Sequence, residues 1–142
     1  MIVESSSVTE TENIAADLSK NFVGGEVIAL HGDLGAGKTQ FVRGLLQGLN
    51  GQPRSVSSPT FVLLNVYDTG RLTLYHLDAY RTTGEDDFET IGFQELLEQN
   101  GVVAVEWPER IDKLLPARVW HITIKPIEET RRSIEICPPM AG

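Results

Sequence analysis

The chain of 142 residues has a single cysteine, Cys137. One thiol excludes an internal disulfide and fits a reducing compartment. Basic residues are also scarce, 12 against 20 acidic ones, for a formal net charge of −8. Such a surface opposes direct, non-specific binding to nucleic acid, which relies on Lys and Arg to displace counterions. It opposes an anionic membrane for the same reason. No apolar run approaches membrane-spanning length. The opening MIVESSSVTE has neither a basic n-region nor an apolar h-region, so no signal peptide is expected. These absences together predict a cytoplasmic protein. Repeats, low-complexity tracts and linkers are missing too, so residues 1–142 are expected to form one domain. At 41% hydrophobic and 23% charged the composition is that of a globular chain.

Helical and extended patterns alternate along the sequence. Thr9 and Glu12 stand at capping-box spacing. Ile14, Ala15, Leu18 and Phe22 follow at helical intervals, predicting a helix over 9–22 that Gly24 and Gly25 end. Glu26 to His31 is a short apolar run bounded by glycines, as in a buried parallel strand. After the glycine-rich stretch comes a second helix with Phe41, Leu45 and Leu49 on one stripe and Val42 and Leu46 beside it, stopped by Asn50 and Gly51. Residues 52–60 read as loop. Phe61 to Tyr67 and Leu72 to Leu77 flank Asp68-Thr69-Gly70 and predict a hairpin. Residues 85–99 are acidic and weakly helical, and the run Glu85-Asp86-Asp87 reads as a solvated helix start. Val102 to Val105 is another buried apolar run, ending at Glu106, and Pro108 suits the first turn of a short helix toward Leu115. Trp120, Ile122 and Ile124 alternate, as do Ile134 and Ile136, predicting two antiparallel strands joined by a charged turn. The order implies an α/β fold, a mixed β-sheet flanked by helices.

The segment Gly32-Asp33-Leu34-Gly35-Ala36-Gly37-Lys38-Thr39 matches G-x-x-x-x-G-K-[ST]. Glycines let the backbone curl so that its N–H groups point at phosphate oxygens. The following helix turns its positive end toward the same anion. Lys38 can reach the β- and γ-phosphates and the Thr39 hydroxyl can ligate Mg²⁺. The motif follows a strand and opens a helix, the context a P-loop NTPase fold requires. Hydrolysis also needs an acidic residue for Mg²⁺ and a group that orients water. Glu106 and Asp78 each end an apolar segment and qualify, and the pattern leaves open which holds metal and which handles water. Ser57-Ser58-Pro59-Thr60 lies where such proteins can carry a hydroxyl that senses the γ-phosphate. His31, His76 and His121 lack metal-ligand spacing, and core or surface roles are expected. Trp107 could stack on a base, but a packed tryptophan is the expected reading. Arg131 and Arg132 sit in the charged turn, either reaching phosphate or facing water.

GDLGAGKT at 32–39, SSPTF at 57–61, LYHLDAYR at 74–81 and VEWPER at 105–110 occur in this order. Together they resemble the bacterial TsaE (formerly YjeE) family over nearly the whole chain. The resemblance implies a P-loop ATPase in the synthesis of N6-threonylcarbamoyladenosine in tRNA, acting on TsaD- and TsaB-type partners and meeting tRNA only through them. It implies ATP and Mg²⁺ as cofactors. Phosphates would be held by Lys38 and the loop from Gly32, Asp33, Gly35, Ala36, Gly37 to Thr39 and Gln40. Metal would be held by Thr39 and Glu106. Asp78 becomes the candidate for water activation, Thr60 a switch-like hydroxyl, and Thr11 and Arg131 further nucleotide contacts. The acidic surface is compatible with such a role if the partners supply the basic one.

Other P-loop classes fit less well. A self-contained small-molecule kinase needs an arginine-bearing lid. No segment is long enough for one, and Arg54, Arg71 and Arg81 are scattered. A Ras-type GTPase usually carries N-K-x-D, and no asparagine here precedes a lysine. A nucleotide-dependent binding module would share every P-loop residue and differ only in whether Asp78 can activate water.

Overall fold

The computed structural model describes residues 1–33, 36–56, 64–80 and 85–139, with backbone alone for 85–87. Among the described residues seven strands form one sheet in the order β1-β7-β6-β2-β5-β4-β3. They are β1 (Ile2–Ser5), β2 (Val27–His31), β3 (Leu64–Tyr67), β4 (Leu74–Asp78), β5 (Val102–Glu106), β6 (Trp120–Pro126) and β7 (Arg132–Cys137). The helices are α1 (Val8–Ser19), α2 (Lys38–Gly48), α3 (Glu85–Thr90) and α4 (Phe93–Leu97), with a 3₁₀ segment over Pro108–Leu114. The four central strands β6, β2, β5 and β4 run parallel, and β3, β7 and β1 add antiparallel margins. The expected mixed sheet is the observed one.

Strand parity divides the core in two. Ile28, Leu30, Leu74, Val102, Ala104, Ile122 and Ile124 point to the face covered by α1 and α2. Val27, Ala29, Leu77, Val103 and Val105 point to the other face, under Phe88, Phe93 and Ile111. Central parallel strands are covered on both faces, so their sequences run apolar without alternation. The α2 stripe of Phe41, Val42, Leu45, Leu46 and Leu49 is wholly buried, each large side chain contributing about 1.5–3 kcal/mol. Among the described residues no helix is long and apolar enough to cross a membrane.

Two boundaries differ from expectation. The cap of α1 is Ser7, whose Oγ accepts from Glu10 N at 3.1 Å, while Glu10 Oε2 accepts from Ser6 N. Thr9 and Glu12 have the same spacing but lie inside the helix. The helix ends at Ser19 rather than at residue 22, and the Arg71 guanidinium donates to the carbonyls of Ser19, Lys20 and Phe22 at and beyond its end. Strand β1 has too few residues to announce itself, and it exists through its antiparallel pairing with β7.

Candidate functional site

Parallel pairing brings the ends of β2, β4 and β5 to one edge of the sheet. Leu30 pairs with Glu106 across β2 and β5, and Asp78 with Glu106 across β4 and β5. Residues paired across parallel strands point to the same face. Glu106 and Asp78 therefore emerge side by side, on the face where α2 begins. The Glu106 carboxylate stands 3.9 Å from the Lys38 ammonium, and Asp78 is its register partner.

The N-cap of α2 is Gly37, at φ 110°, with no side-chain cap and no acidic residue in the first turn. Among the described residues no side chain caps the leading N–H groups of this helix. A Cβ at Gly37 would have the Arg132 Nε and Gln40 Oε1 at 3.9 Å, and the positive φ favours glycine. Gly32 is tighter: a Cβ there would fall 2.8 Å from the Ile124 carbonyl oxygen. Within the loop Ala36 N donates to Asp33 O at 3.1 Å. Gly35 and Thr60 lie outside the described residues, as do 57–63 and Arg81.

Lys38 is 5% exposed. Its ammonium donates to the Gly32 carbonyl at 2.6 Å, stands 3.9 Å from Glu106 Oε1 and lies 4.0 Å from the centroid of the Trp107 ring. Burial pulls this ammonium below its ordinary pKa, opposed by the negative field of Glu106, Asp78, Glu109 and Asp33. Trp107 packs as expected, but it does so against the lysine and against Tyr80, at 4.8 Å between centroids. Its φ of 56° is left-handed, a conformation rare for an aromatic residue and concentrated at functional sites.

Burial pushes the Asp78 carboxyl above the usual range. Glu106 adds to that, while the Tyr80 N–H donated to Oδ1 and the charges of Lys38 and His76 oppose it. Glu106 is itself buried, and its Oε2 lies 2.5 Å from His76 Nε2. His76 was expected to be a core or surface residue. It is fully buried, yet it touches the site. A signal was present, since H-x-D on a strand places His76 and Asp78 on one face.

Two cavities flank the loop. One, of about 370 Å³, is lined by Ser6, Ser7, Thr11, Gly37, Gln40 and Arg132, with Val8, Glu129 and Thr130. Thr11 and Gln40 both belong to this lining. The other, of about 340 Å³, opens beside His31, Gly32, Asp33, Trp107 and Glu109. There His31 stacks on His121 at 5.3 Å, and burial with the neighbouring imidazole lowers the His31 pKa against the pull of Glu109. A larger cavity, about 570 Å³, lies around Phe22, Val23 and Trp120. It sits where β2 and β6 begin, at the end of the sheet away from the loop.

The two arginines of the charged turn have different partners. Arg131 donates to Glu4 at 2.6 Å and Glu128 at 3.2 Å, tying the turn to β1, and does not line the cavity. Arg132 does line it, donating from Nε to the Ala36 carbonyl at 3.0 Å. Arg132 opens β7 while Arg131 precedes it in the turn, and of the two it is Arg132 that bonds to the loop backbone.

Residues 5–134 match the family model described as "Threonylcarbamoyl adenosine biosynthesis protein TsaE". A protein of Treponema pallidum called "tRNA threonylcarbamoyladenosine biosynthesis protein TsaE" is 46% identical, covering 79% of this chain and 82% of that one. The protein of the same description from Bacillus subtilis is 42% identical over 88% of this chain and 77% of its own. The crystal structure of Bacillus subtilis YdiB superposes with a TM-score of 0.81 at 31% identity, covering 99% of this chain and 86% of that one. The chain belongs to the TsaE family.

Proposed function

We propose that this protein binds and hydrolyses Mg²⁺–ATP in the biosynthesis of threonylcarbamoyladenosine in tRNA, acting in the cytoplasm on a TsaD- and TsaB-type partner pair. The observation that carries this reading is the buried Lys38 ammonium, set at an uncapped helix N-terminus beside two strand-end carboxylates. A cation that burial disfavours calls for anionic ligands, and a triphosphate supplies them. The family's descriptions support the pathway, since the relatives are named for that biosynthesis.

The residues present fit a magnesium ion. Glu106 and Thr39 offer the hard oxygen donors magnesium prefers, and one or two protein donors suffice when phosphates and waters complete the shell. When bound, the ion neutralises charge on the β- and γ-phosphates. Lys38 would exchange its Gly32 carbonyl for phosphate oxygens, and the amides at the start of α2 would hold the same group. Asp78, with its raised pKa, suits acceptance of a proton from the attacking water. Arg132 and Gln40 would approach the phosphates from the side of the 370 Å³ cavity, whose lining by Ser6, Ser7 and Thr11 would stand beside the nucleoside. Gly35 and Thr60 would contribute as the resemblance implies. An acidic protein of this kind meets tRNA through its partners.

The test is phosphate release from Mg²⁺–ATP, with GTP as control, for the protein alone and with a TsaD–TsaB-type pair. ATP-selective turnover that rises with the pair and disappears in Lys38→Ala supports the reading. Turnover indifferent to the pair, or appearing only with a small phosphate acceptor, replaces it with a kinase. Tight nucleotide binding without turnover in any mixture leaves a binding module.

A further inference from the structure

We infer that His76 is the positioning residue for the Glu106 carboxylate, holding Oε2 so that Oε1 is presented to the metal. The inference rests on the reading of Glu106 as the magnesium ligand.

Three observations carry it. First, His76 is fully buried, and its only hydrogen-bond partner among the described residues is Glu106 Oε2, at 2.5 Å from Nε2. Second, His76 Nδ1 is buried without a partner among the described residues. A proton on Nδ1 would leave that donor unsatisfied in the core and set the bare Nε2 against a carboxylate oxygen. The proton therefore belongs on Nε2, which donates to Glu106. Third, the sheet makes room for this contact. His76 pairs in register with Ala104, two residues before Glu106 on the same face of β5. The small Ala104 side chain lets the imidazole lean along the strand toward the carboxylate.

The consequence is a difference between the two oxygens of Glu106. Oε2 is committed to the imidazole. Oε1 faces the lysine of the phosphate loop at 3.9 Å, beyond hydrogen-bond distance. A glutamate at a strand end has three side-chain torsions, and each misoriented rotamer removes the ligand. The imidazole, locked between strands, selects the orientation in which Oε1 remains available. Partners outside the ligand shell act on metal affinity by orienting the ligand in this way.

The experiment is calorimetric titration of ATP into the whole protein at stepped Mg²⁺ concentrations, and again with the metal chelated. The variants are His76→Leu, His76→Gln and His76→Asn. In His76→Leu the Mg²⁺ concentration needed for half the gain in nucleotide affinity is expected to rise about 10- to 100-fold. Affinity in chelator should stay at the wild-type value. Gln carries its amide nitrogen near the Nε2 position and should keep the wild-type metal requirement. Asn carries it near Nδ1 and should behave like Leu. If Leu destabilises the fold, the contrast between Gln and Asn still decides the matter. An unchanged metal requirement in a folded Leu or Asn variant overturns the inference, as does a Gln variant as impaired as Leu. Wild-type protein whose nucleotide affinity ignores Mg²⁺ overturns instead the metal reading of Glu106 beneath it.

Discussion

Replacing Gly44 by alanine tests how α1 and α2 are held together. Gly44 lies on α2 where it meets α1. A Cβ there would fall 2.2 Å from the Glu12 carbonyl oxygen and 2.6 Å from the Ala15 Cβ. Neither atom can rotate away, because one is backbone and the other a methyl fixed to it. An ordinary carbon–oxygen contact is about 3.3–3.6 Å, so the two helices must part by roughly 1 Å. Helix propensity favours the alanine by about 1 kcal/mol. Against it stand an overpacking cost of about 1–3 kcal/mol and the dispersion lost along the seam, where a gap of this size removes about a quarter to a half of each contact's attraction. The clash wins, and the net destabilisation is about 2 kcal/mol. In urea, with a slope of about 2 kcal/mol per molar, the midpoint falls by about 1 M with the slope unchanged. Gln47→Ala, exposed on the same helix, should leave it in place. Because Thr11 on α1 and Gln40 on α2 line one cavity, Gly44→Ala should also weaken nucleotide binding. A variant as stable as wild type, or more stable, would refute the close approach of the two helices.

Three further outcomes are expected. Asp78→Asn should lower turnover by about 10²- to 10⁴-fold, the usual yield of a general base, while sparing nucleotide binding. Asp78 has a raised folded pKa, so its favourable contribution to folding is present below the ordinary aspartate pKa and is lost as pH rises through the raised value. The Asn variant should accordingly melt higher than wild type at neutral pH, with the advantage disappearing in acid, and an identical melting profile at all pH values would contradict this. Arg132→Ala, which removes a charged donor from the loop and cavity, should weaken nucleotide binding about tenfold or more, whereas Arg131→Ala should lose only a little stability in low salt. Calorimetry that finds the opposite ranking would reverse the assignment of the two arginines. Ser7→Ala removes the cap of α1 and should cost about 1 kcal/mol in chemical denaturation, while Thr9→Ala should not act as a cap deletion.

The glycine-rich turn into α2 was legible because its pattern is local. Gly37 takes a left-handed conformation and offers no side chain, and Lys38 follows it directly, so consecutive residues carry the whole signal. The central strands were legible for a related reason. Runs such as Val102 to Val105 stay apolar on both faces only when both faces are covered. The helix cap was misplaced because Ser7–Glu10 and Thr9–Glu12 have the same spacing. Which pair caps depends on where β1 releases the chain. That strand was invisible because it is held by the margin of β7 rather than by its own four residues.

By itself the sequence determined the glycine-rich turn into α2, the mixed α/β order and the strand ends at Asp78 and Glu106, since each follows from neighbours a few positions apart. Only the tertiary structure decided the rest. Sheet order and register set Asp78 beside Glu106 and aimed His76 at a carboxylate 30 residues away. The path of one turn chose Arg132 over Arg131 for the loop. Such pairings depend on which strands meet and which way each residue faces, and no local spacing encodes them, because hydrogen-bonded strand partners can lie at any separation along the chain.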